Sequence, residues 1–498
     1  SIRIASSFFS RKLERQIGHH VGRIKIPLTY IVTQYDKENK MDKNRLAING
    51  GPKAIEGFEG RGEPKIGNEE FLEMADTWGY SQETIDEIRK VIDKEDLGSG
   101  PFLVGYKPES KVFKMEEYAA ELFNVKNVLA VTSGTAALHT AYVAADIGFG
   151  DEVIVPGYTF MATAMAAVVA GGIPVWCEID ESMTIDPNDA EKRITPRTKA
   201  IAPVHMSGRI CNMDAVMEVA KRHNLMVIED CAQACGASFH GRRIGTIGDL
   251  GCFSISSYKP TGGGEGGLVL TNDDKLYWRA RQWSEGGGLW RPDRYALPRW
   301  EGELFCGVNY RMSELAGTVN LVQLKKMEAQ LARKRTNKRR VLSALPVYHE
   351  LRPQVIHDID GEHGNDLGFF LETAAEAERL VSVLQAEGVG CSTRGRSDRR
   401  DWHIYKYMSP IMDKLPATSN GYPWRDPKTG EEVPVEYSPD MCPRTLDLLS
   451  RRVGVGLNQW WTERDCKQLA AAMTKVFDAL YTRNSNYENW LEAVTRFC

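Results

Sequence analysis

Between residues 125 and 275, short apolar runs recur, each ending in small or acidic residues and followed by a segment of helical spacing. The run at 128–131 leads into Ser-Gly-Thr-Ala-Ala-Leu, that at 153–155 into Pro156-Gly157, and that at 174–177 into Glu178-Ile179-Asp180. The run at 200–204 precedes His205, and 226–228 precedes Glu229-Asp230. Helix-length segments such as Met213–His223 lie between them. Continuous apolar strands alternating with helices predict an α/β architecture, a mostly parallel sheet flanked by helices. Ligands on such sheets bind beyond the carboxyl ends of the strands, which is where each of these polar clusters falls.

Past residue 340 the pattern changes. Residues 367–371 read as a strand, 374–387 as an amphipathic helix, Gly388-Val389-Gly390 as the turn into another strand, and Glu463–Leu480 as a closing helix. These predict a smaller C-terminal α+β domain over 341–482, interrupted near 395–440 by an insertion rich in charge, Pro and Gly. The large domain is expected over 41–340, and 483–498 as a peripheral tail. Residues 1–40 differ in character, with His19-His20 and basic residues from Arg3 to Lys25, and Met41 would make a natural beginning. They read as an N-terminal extension without a catalytic part; a targeting peptide is weakened by Asp36, Glu38 and the lack of a long apolar core.

Composition narrows the class. With 42% hydrophobic residues in 498, general disorder is excluded. A balance of 63 Lys plus Arg against 67 Asp plus Glu leaves no global basic field, so nucleic acid is not an implied partner. No apolar run approaches the ~20 residues of a membrane helix. Ten cysteines are too dilute for a disulfide framework. Cys231 and Cys235 lack a second Cys/His pair to complete a metal site, so they read as reduced thiols and no metal is expected. A reducing, cytoplasmic compartment fits.

Four features of the strand ends carry chemistry. Ser133-Gly134-Thr135 follows a strand and opens a helix; the turn is either a plain N-cap or an anion site built from exposed N–H groups and the helix dipole. Asp230 ends a strand, as a structural cap or as the partner of a pyridine nitrogen, with Gln233 placed to reach a neighbouring phenolic oxygen. Lys259 stands between a hydroxyl-rich apolar segment and a glycine-dense loop. It is either a solvated surface charge or a semi-buried amine of lowered pKa able to form a Schiff base, and Ser254 would add a phosphate contact. Phe160 follows a strand, where it could cover a flat ring or belong to the core. The order of phosphate turn, aromatic, strand-end Asp and Lys has one economical solution, a pyridoxal 5'-phosphate site.

The stretch from about 46 to 324 resembles the DegT/StrS family of sugar aminotransferases. The matching segments are SGTAALH at 133, VPGYTF at 155, GGIPVWCEID at 171, ITPRTKAIAPVHMSG at 194, VIEDCAQACGA at 227, GDLGCFSISSYKPTGGGEGGLVLTND at 248 and GVNYRMSEL at 307, with CPRTLDLLSRRV at 442 similar to a C-terminal signature. The resemblance implies a fold-type I pyridoxal-phosphate-dependent transferase, working as a homodimer with shared active sites. It implies Lys259 as the Schiff-base lysine and Asp230 as the ring-nitrogen partner. Gln233 would stand at the ring hydroxyl and Phe160 on the ring face. Gly134, Thr135 and Ser254 would meet the phosphate, and Asn309 the phosphate of the neighbouring subunit's cofactor. The implied activity is ping-pong transfer of an amino group from glutamate or glutamine to a keto sugar, nucleotide-linked or free, or to a keto cyclitol. Residues 1–40, 283–303 and 395–440 depart from the family's usual length and composition. Two rival readings are a dehydratase of the same fold, against which Lys259 argues, and a non-catalytic cofactor-binding homologue, against which the joint presence of Lys259, Asp230 and Ser254 argues.

Overall fold

A computed structural model of the chain describes residues 45–55, 57, 64–98, 100, 101, 103, 109–287, 297–394 and 400–496. The expected extension at 1–40 lies outside them. The chain divides into two compact units, Ser1–Phe102 and Leu103–Cys498. In the first, helices α1 (Asn68–Thr77) and α2 (Gln82–Ile92) meet through buried Leu72, Ala75 and Ile85. Ser81 caps α2 by accepting the amide of Thr84.

In the second unit the predicted alternation becomes real elements. Helix α3 (Lys111–Phe123) leads to β1 (Asn127–Val131), α4 (Gly134–Ala144), β2 (Glu152–Pro156), α5 (Ala162–Ala170), β3 (Ile173–Cys177) and α6 (Pro187–Lys192). Then follow β4 (Thr198–Ile201), α7 (Met213–His223), β5 (Met226–Asp230), the small hairpin β6 (Ser238–Phe239) and β7 (Arg242–Arg243), β8 (Leu250–Ser254), β9 (Gly267–Thr271) and α8 (Asp274–Ser284). The large sheet has the order β1-β9-β8-β5-β4-β2-β3. β9 runs antiparallel to both its neighbours, and the pairs from β8 through β5, β4 and β2 to β3 are parallel. β2, β8 and β9 are buried at every position, as a sheet covered on both faces requires. The run at 200–204 pairs only as far as Ile201. Pro203 has no N–H for a ladder, and Val204 makes a single bridge to Asp230.

Helix α9 (Glu314–Ala344) crosses without a break from one core to the next. Its Leu321, Leu324, Met327 and Leu331 pack in the large-sheet core, and Val341 and Leu342 in that of a second sheet. This second sheet, β10 (Arg352–Pro353), β11 (Asp366–Phe370), β12 (Cys391–Thr393) and β13 (Arg452–Gly456), is antiparallel in the order β10-β11-β13-β12. Helix α10 (Ala374–Ala386) buries Ala377, Leu380, Val381 and Leu384 against it, the spacing of one helical face.

The described part of the insertion, from residue 400, packs with the two residues after it on the large sheet rather than the small one. It carries α11 (Ser409–Met412), and its Ile404, Tyr405, Met408, Ile411, Trp424, Val433 and Cys442 join the large-sheet core. The Tyr405 amide donates to Gly157 O at 3.0 Å and the Tyr437 hydroxyl to Pro174 O at 2.7 Å, which ties the segment across β2 and β3. Beyond it come α12 (Pro443–Arg451), α13 (Glu463–Leu480) and α14 (Trp490–Arg496). The last of these corrects the expectation of a peripheral tail: Trp490 is 1% exposed and packs with Ala493 and Val494 in the small-sheet core. One short helix anchored by one Trp offers too few apolar positions for a periodicity to show in sequence. No helix among the described residues is long and apolar enough to cross a membrane.

Candidate active site

The antiparallel β9 explains why two distant hydroxyl-bearing segments meet. Gly267 pairs with Val131 of β1 on one side and Ser254 of β8 on the other, so both strands end at the same level. Just past β1, the Ser133 hydroxyl accepts the Ala136 amide at 3.1 Å and its carbonyl accepts the Ala137 amide at 2.9 Å. The amides of Gly134 and Thr135, in the first turn of α4, have no intrahelical acceptor, and the helix dipole adds positive potential there. A Cβ on Gly134 would lie 2.6 Å from Ser254 Cβ, so glycine is what lets the helix start close on β8. Ser254 is buried, with its hydroxyl 3.4 Å from that of Ser256, while Thr135 is exposed. The expected phosphate contacts Gly134, Thr135 and Ser254 are thus brought together around one helix start.

Asp230 ends β5, the parallel neighbour of β8, with Cys252 as its register partner. Its carboxylate is buried; Oδ2 accepts the Thr163 hydroxyl at 2.6 Å and Oδ1 the Ala232 amide at 3.0 Å. Burial raises its pKa above the ordinary carboxylate value, while the Thr163 and Ala232 hydrogen bonds and the charge of Lys259 pull it back. Lys259, in the loop after β8, is half-buried. Burial lowers its amine pKa, and the Asp230 carboxylate opposes that shift. The two groups therefore sense each other across the strand ends.

Gln233 is half-buried, and its Oε1 accepts the Ser207 amide at 3.0 Å. Phe160 is not a core residue: it is 41% exposed and stands 5.4 Å, centroid to centroid, from the ring of His403 in the inserted segment. Asn309 is exposed, with Oδ1 accepting the Arg311 amide at 3.2 Å; Arg311 in turn bridges to Val131 at the end of β1. Asn309 does not join the buried group formed by Asp230 and Ser254. Cys231 and Cys235 are free and buried.

His205 is fully buried, its Nδ1 accepting the Cys211 amide at 3.2 Å and its Nε2 lying 3.1 Å from Glu229 Oε2. With Nδ1 an acceptor, the ring is a neutral tautomer donating from Nε2 to the carboxylate. His205, Glu229 and Cys231 come close enough to suggest a metal cluster. The Glu229 oxygens, however, already accept the amides of Gly245, Ile247 and Gly248 besides His205, so the group is a structural knot between loops.

Four participants carry no signal in the sequence that would single them out. Thr163 is the second residue of α5, where nothing distinguishes it from its helical neighbours; its hydroxyl also lies 2.6 Å from that of Thr159. Ser207 has a left-handed backbone (φ 56), a conformation that its place before Gly208 only hints at. His403, held by Asp401 (Nδ1 to Oδ1, 2.9 Å), reaches Phe160 only through tertiary packing.

Over 222 residues the chain is 42% identical to the GDP-perosamine synthase of Caulobacter vibrioides, covering 44% of this chain and 58% of that protein. Over 251 residues it is 39% identical to the L-glutamine:2-deoxy-scyllo-inosose aminotransferase of Micromonospora echinospora, covering 49% and 60%. The aligned part thus spans less than two thirds of the length of these relatives. Among solved structures, S. venezuelae DesV in complex with a ketimine intermediate superposes with a TM-score of 0.59 at 28% identity, covering 83% of this chain and 97% of that one. The profile of the DegT/DnrJ/EryC1/StrS aminotransferase family matches residues 82–394, well over half of the length, and the chain belongs to that family.

Proposed function

We propose that this protein is a pyridoxal-phosphate-dependent aminotransferase that moves an amino group from glutamate or glutamine to a keto sugar or keto cyclitol. The observation that carries the reading is half-buried Lys259 standing near enough to buried Asp230 for each charge to act on the other, beside a helix start that glycine opens for close approach. The donor set fits the cofactor. A helix N-terminus with two free amides and a buried serine suits a phosphate, and each Asp230 oxygen keeps a lone pair for a ring N–H. Bound here, pyridoxal phosphate supplies an aldehyde for covalent attachment and a ring that takes up electrons from a substrate carbon.

The chain's own residues do the rest. Gly134, Thr135 and Ser254 would hold the phosphate. Asp230 would accept the ring N–H, and a cation there would draw its pKa back down. Phe160 would cover one face of the ring, and Gln233 would meet the ring hydroxyl. The Lys259 Nζ, with an amine pKa lowered by burial, would take a proton from the amino-bearing carbon as general base and, as general acid, give it up at the carbon that had carried the aldehyde. Donor and acceptor use the same site in turn, which gives ping-pong kinetics. The names of the relatives, one a GDP-sugar synthase and one an inosose aminotransferase, support the acceptor class.

The reading includes a homodimer. Asn309 and Thr135 are exposed, and Tyr258, next to Lys259, is 96% exposed, so the rim of the site is open to a second copy. It also includes a cytoplasmic location, which agrees with the free thiols. To test the activity, the protein is loaded with pyridoxal phosphate, reduced with borohydride and digested. We expect an adduct on the peptide containing Lys259, and loss of the visible band when glutamate or glutamine is added before reduction. No adduct in the wild type, or the same adduct in Lys259→Ala, overturns the reading.

A further inference from the structure

We infer that Asn365 is a positioning residue for Gln233, acting through the backbone of Ser207, so that the segment entering the small sheet orients a hydrogen-bond donor in the candidate active site. The inference rests on the cofactor reading above. Its starting point is the Gln233 amide, whose two ends differ in what they can offer. The Ser207 amide donates to Oε1 at 3.0 Å. That contact assigns the carbonyl end, so the Nε2 group is turned away from Ser207 as a donor. Facing a ring hydroxyl that has lost its proton, a donor is the end that is needed.

Ser207 can present its amide this way only in an unusual conformation. Its φ is 56, and the next residue, Gly208, has φ 83. A non-glycine residue in the left-handed region is strained and persists where its surroundings hold it. Here they do. Asn365 Nδ2 donates to Ser207 O at 2.9 Å, and Lys334 Nζ donates to Asn365 Oδ1 at 2.8 Å, which fixes the orientation of that amide in turn. The His363 amide donates to Gly208 O at 3.0 Å, and its Nε2 lies 2.7 Å from Cys235 O, two residues past Gln233. A Cβ on Gly208 would lie 2.4 Å from His363 Cβ and 2.8 Å from Asn365 Nδ2. The 363–365 segment therefore grips both loops that meet at Gln233, and Asn365 holds the carbonyl of the strained peptide itself.

The consequence is readable without turnover. A donor on the phenolic oxygen of the bound ring spreads its negative charge; without that donor the oxygen holds the neighbouring imine proton more tightly. The test is a pH titration of the visible band in loaded wild type, Asn365→Ala, Gln233→Ala and the double variant. We expect Asn365→Ala to raise the midpoint by about half to one pH unit, the size of one net hydrogen bond. We expect Gln233→Ala to raise it at least as far, and the double variant to match Gln233→Ala alone, because one residue acts through the other. Asn365→Asp keeps the shape and the Lys334 contact but cannot donate to Ser207 O, so it reads the same link if the alanine variant does not fold. A midpoint in Asn365→Ala and Asn365→Asp equal to wild type, with Gln233→Ala shifted, overturns the inference alone, as do additive shifts in the double variant. Wild type that takes up no pyridoxal phosphate overturns the reading of the site and the inference with it.

Discussion

Gly134→Ala tests the packing on which the proposed phosphate site depends. The glycine is not in the left-handed region, so alanine brings no backbone strain and only space is at issue. Its new Cβ would meet Ser254 Cβ at 2.6 Å, and Ser254 Cα and Oγ at 3.2 Å, where ordinary contact begins at 3.4 Å. Rotating the serine cannot help, because Cα and Cβ belong to β8. Sliding the strands apart cannot help either: Gly267 is paired to both Val131 and Ser254, and its own Cα side lies against Ser133 O. The start of α4 must therefore move outward by close to an ångström, carrying the Gly134 and Thr135 amides with it. Overpacking of this kind costs roughly 1–3 kcal/mol. Expressed wholly in cofactor affinity, that is a loss of about 5- to 150-fold. The assay is titration of the cofactor-free variant with pyridoxal phosphate, followed by visible absorbance, alongside thermal melting. The double variant Gly134→Ala/Ser254→Gly should melt close to the single Ser254→Gly variant, because the space is returned, yet bind cofactor weakly for want of the hydroxyl. An affinity of Gly134→Ala within twofold of wild type would refute the argument from close approach.

Two further predictions follow from burial. Burial holds the Asp230 carboxyl above its unfolded pKa, so its contribution to stability is full below about pH 4 and is lost as pH rises through the folded value. Cofactor-free Asp230→Asn should therefore melt above wild type at pH 8, the difference closing toward pH 4, since the Thr163 hydroxyl can turn to Phe160 O at 3.2 Å and accept from the new amide. A variant that melts lower at pH 8 would show that its hydrogen bonds outweigh the buried charge. Trp490→Ala removes a ring packed edge-on to Phe369 at 5.8 Å and should cost about 3–5 kcal/mol in denaturant unfolding; a loss under 1 kcal/mol would place α14 outside the core.

The features legible in the chain alone are local ones. Met213–His223 and Glu463–Leu480 can be read to the residue because their ends are marked by their own neighbours: Asn212 caps Ala215, Asn224 turns left-handed, and Thr462 pairs with Asp465 in a capping box. The strand ends of the parallel sheet are legible for the same reason, since a buried strand is a short apolar run and its functional residue lies among the first polar ones at its end. Asp230, Ser254 and the Ser133 turn therefore stand out from the order of residues alone. Tertiary packing settles which of these ends share a space. That β9 runs backwards and levels Val131 with Ser254, that Thr163 reaches Asp230, and that Asn365 grips Ser207 are contacts between residues far apart in the chain. The inserted segment shows the same divide. Its Pro, Gly and charge say only that it is irregular, and the burial of Tyr405 and Trp424 against the large sheet arises from a surface supplied by β2 and β3. Periodicity records how a segment faces its nearest neighbours along the chain, whereas the partner that completes a buried polar group is chosen by the fold.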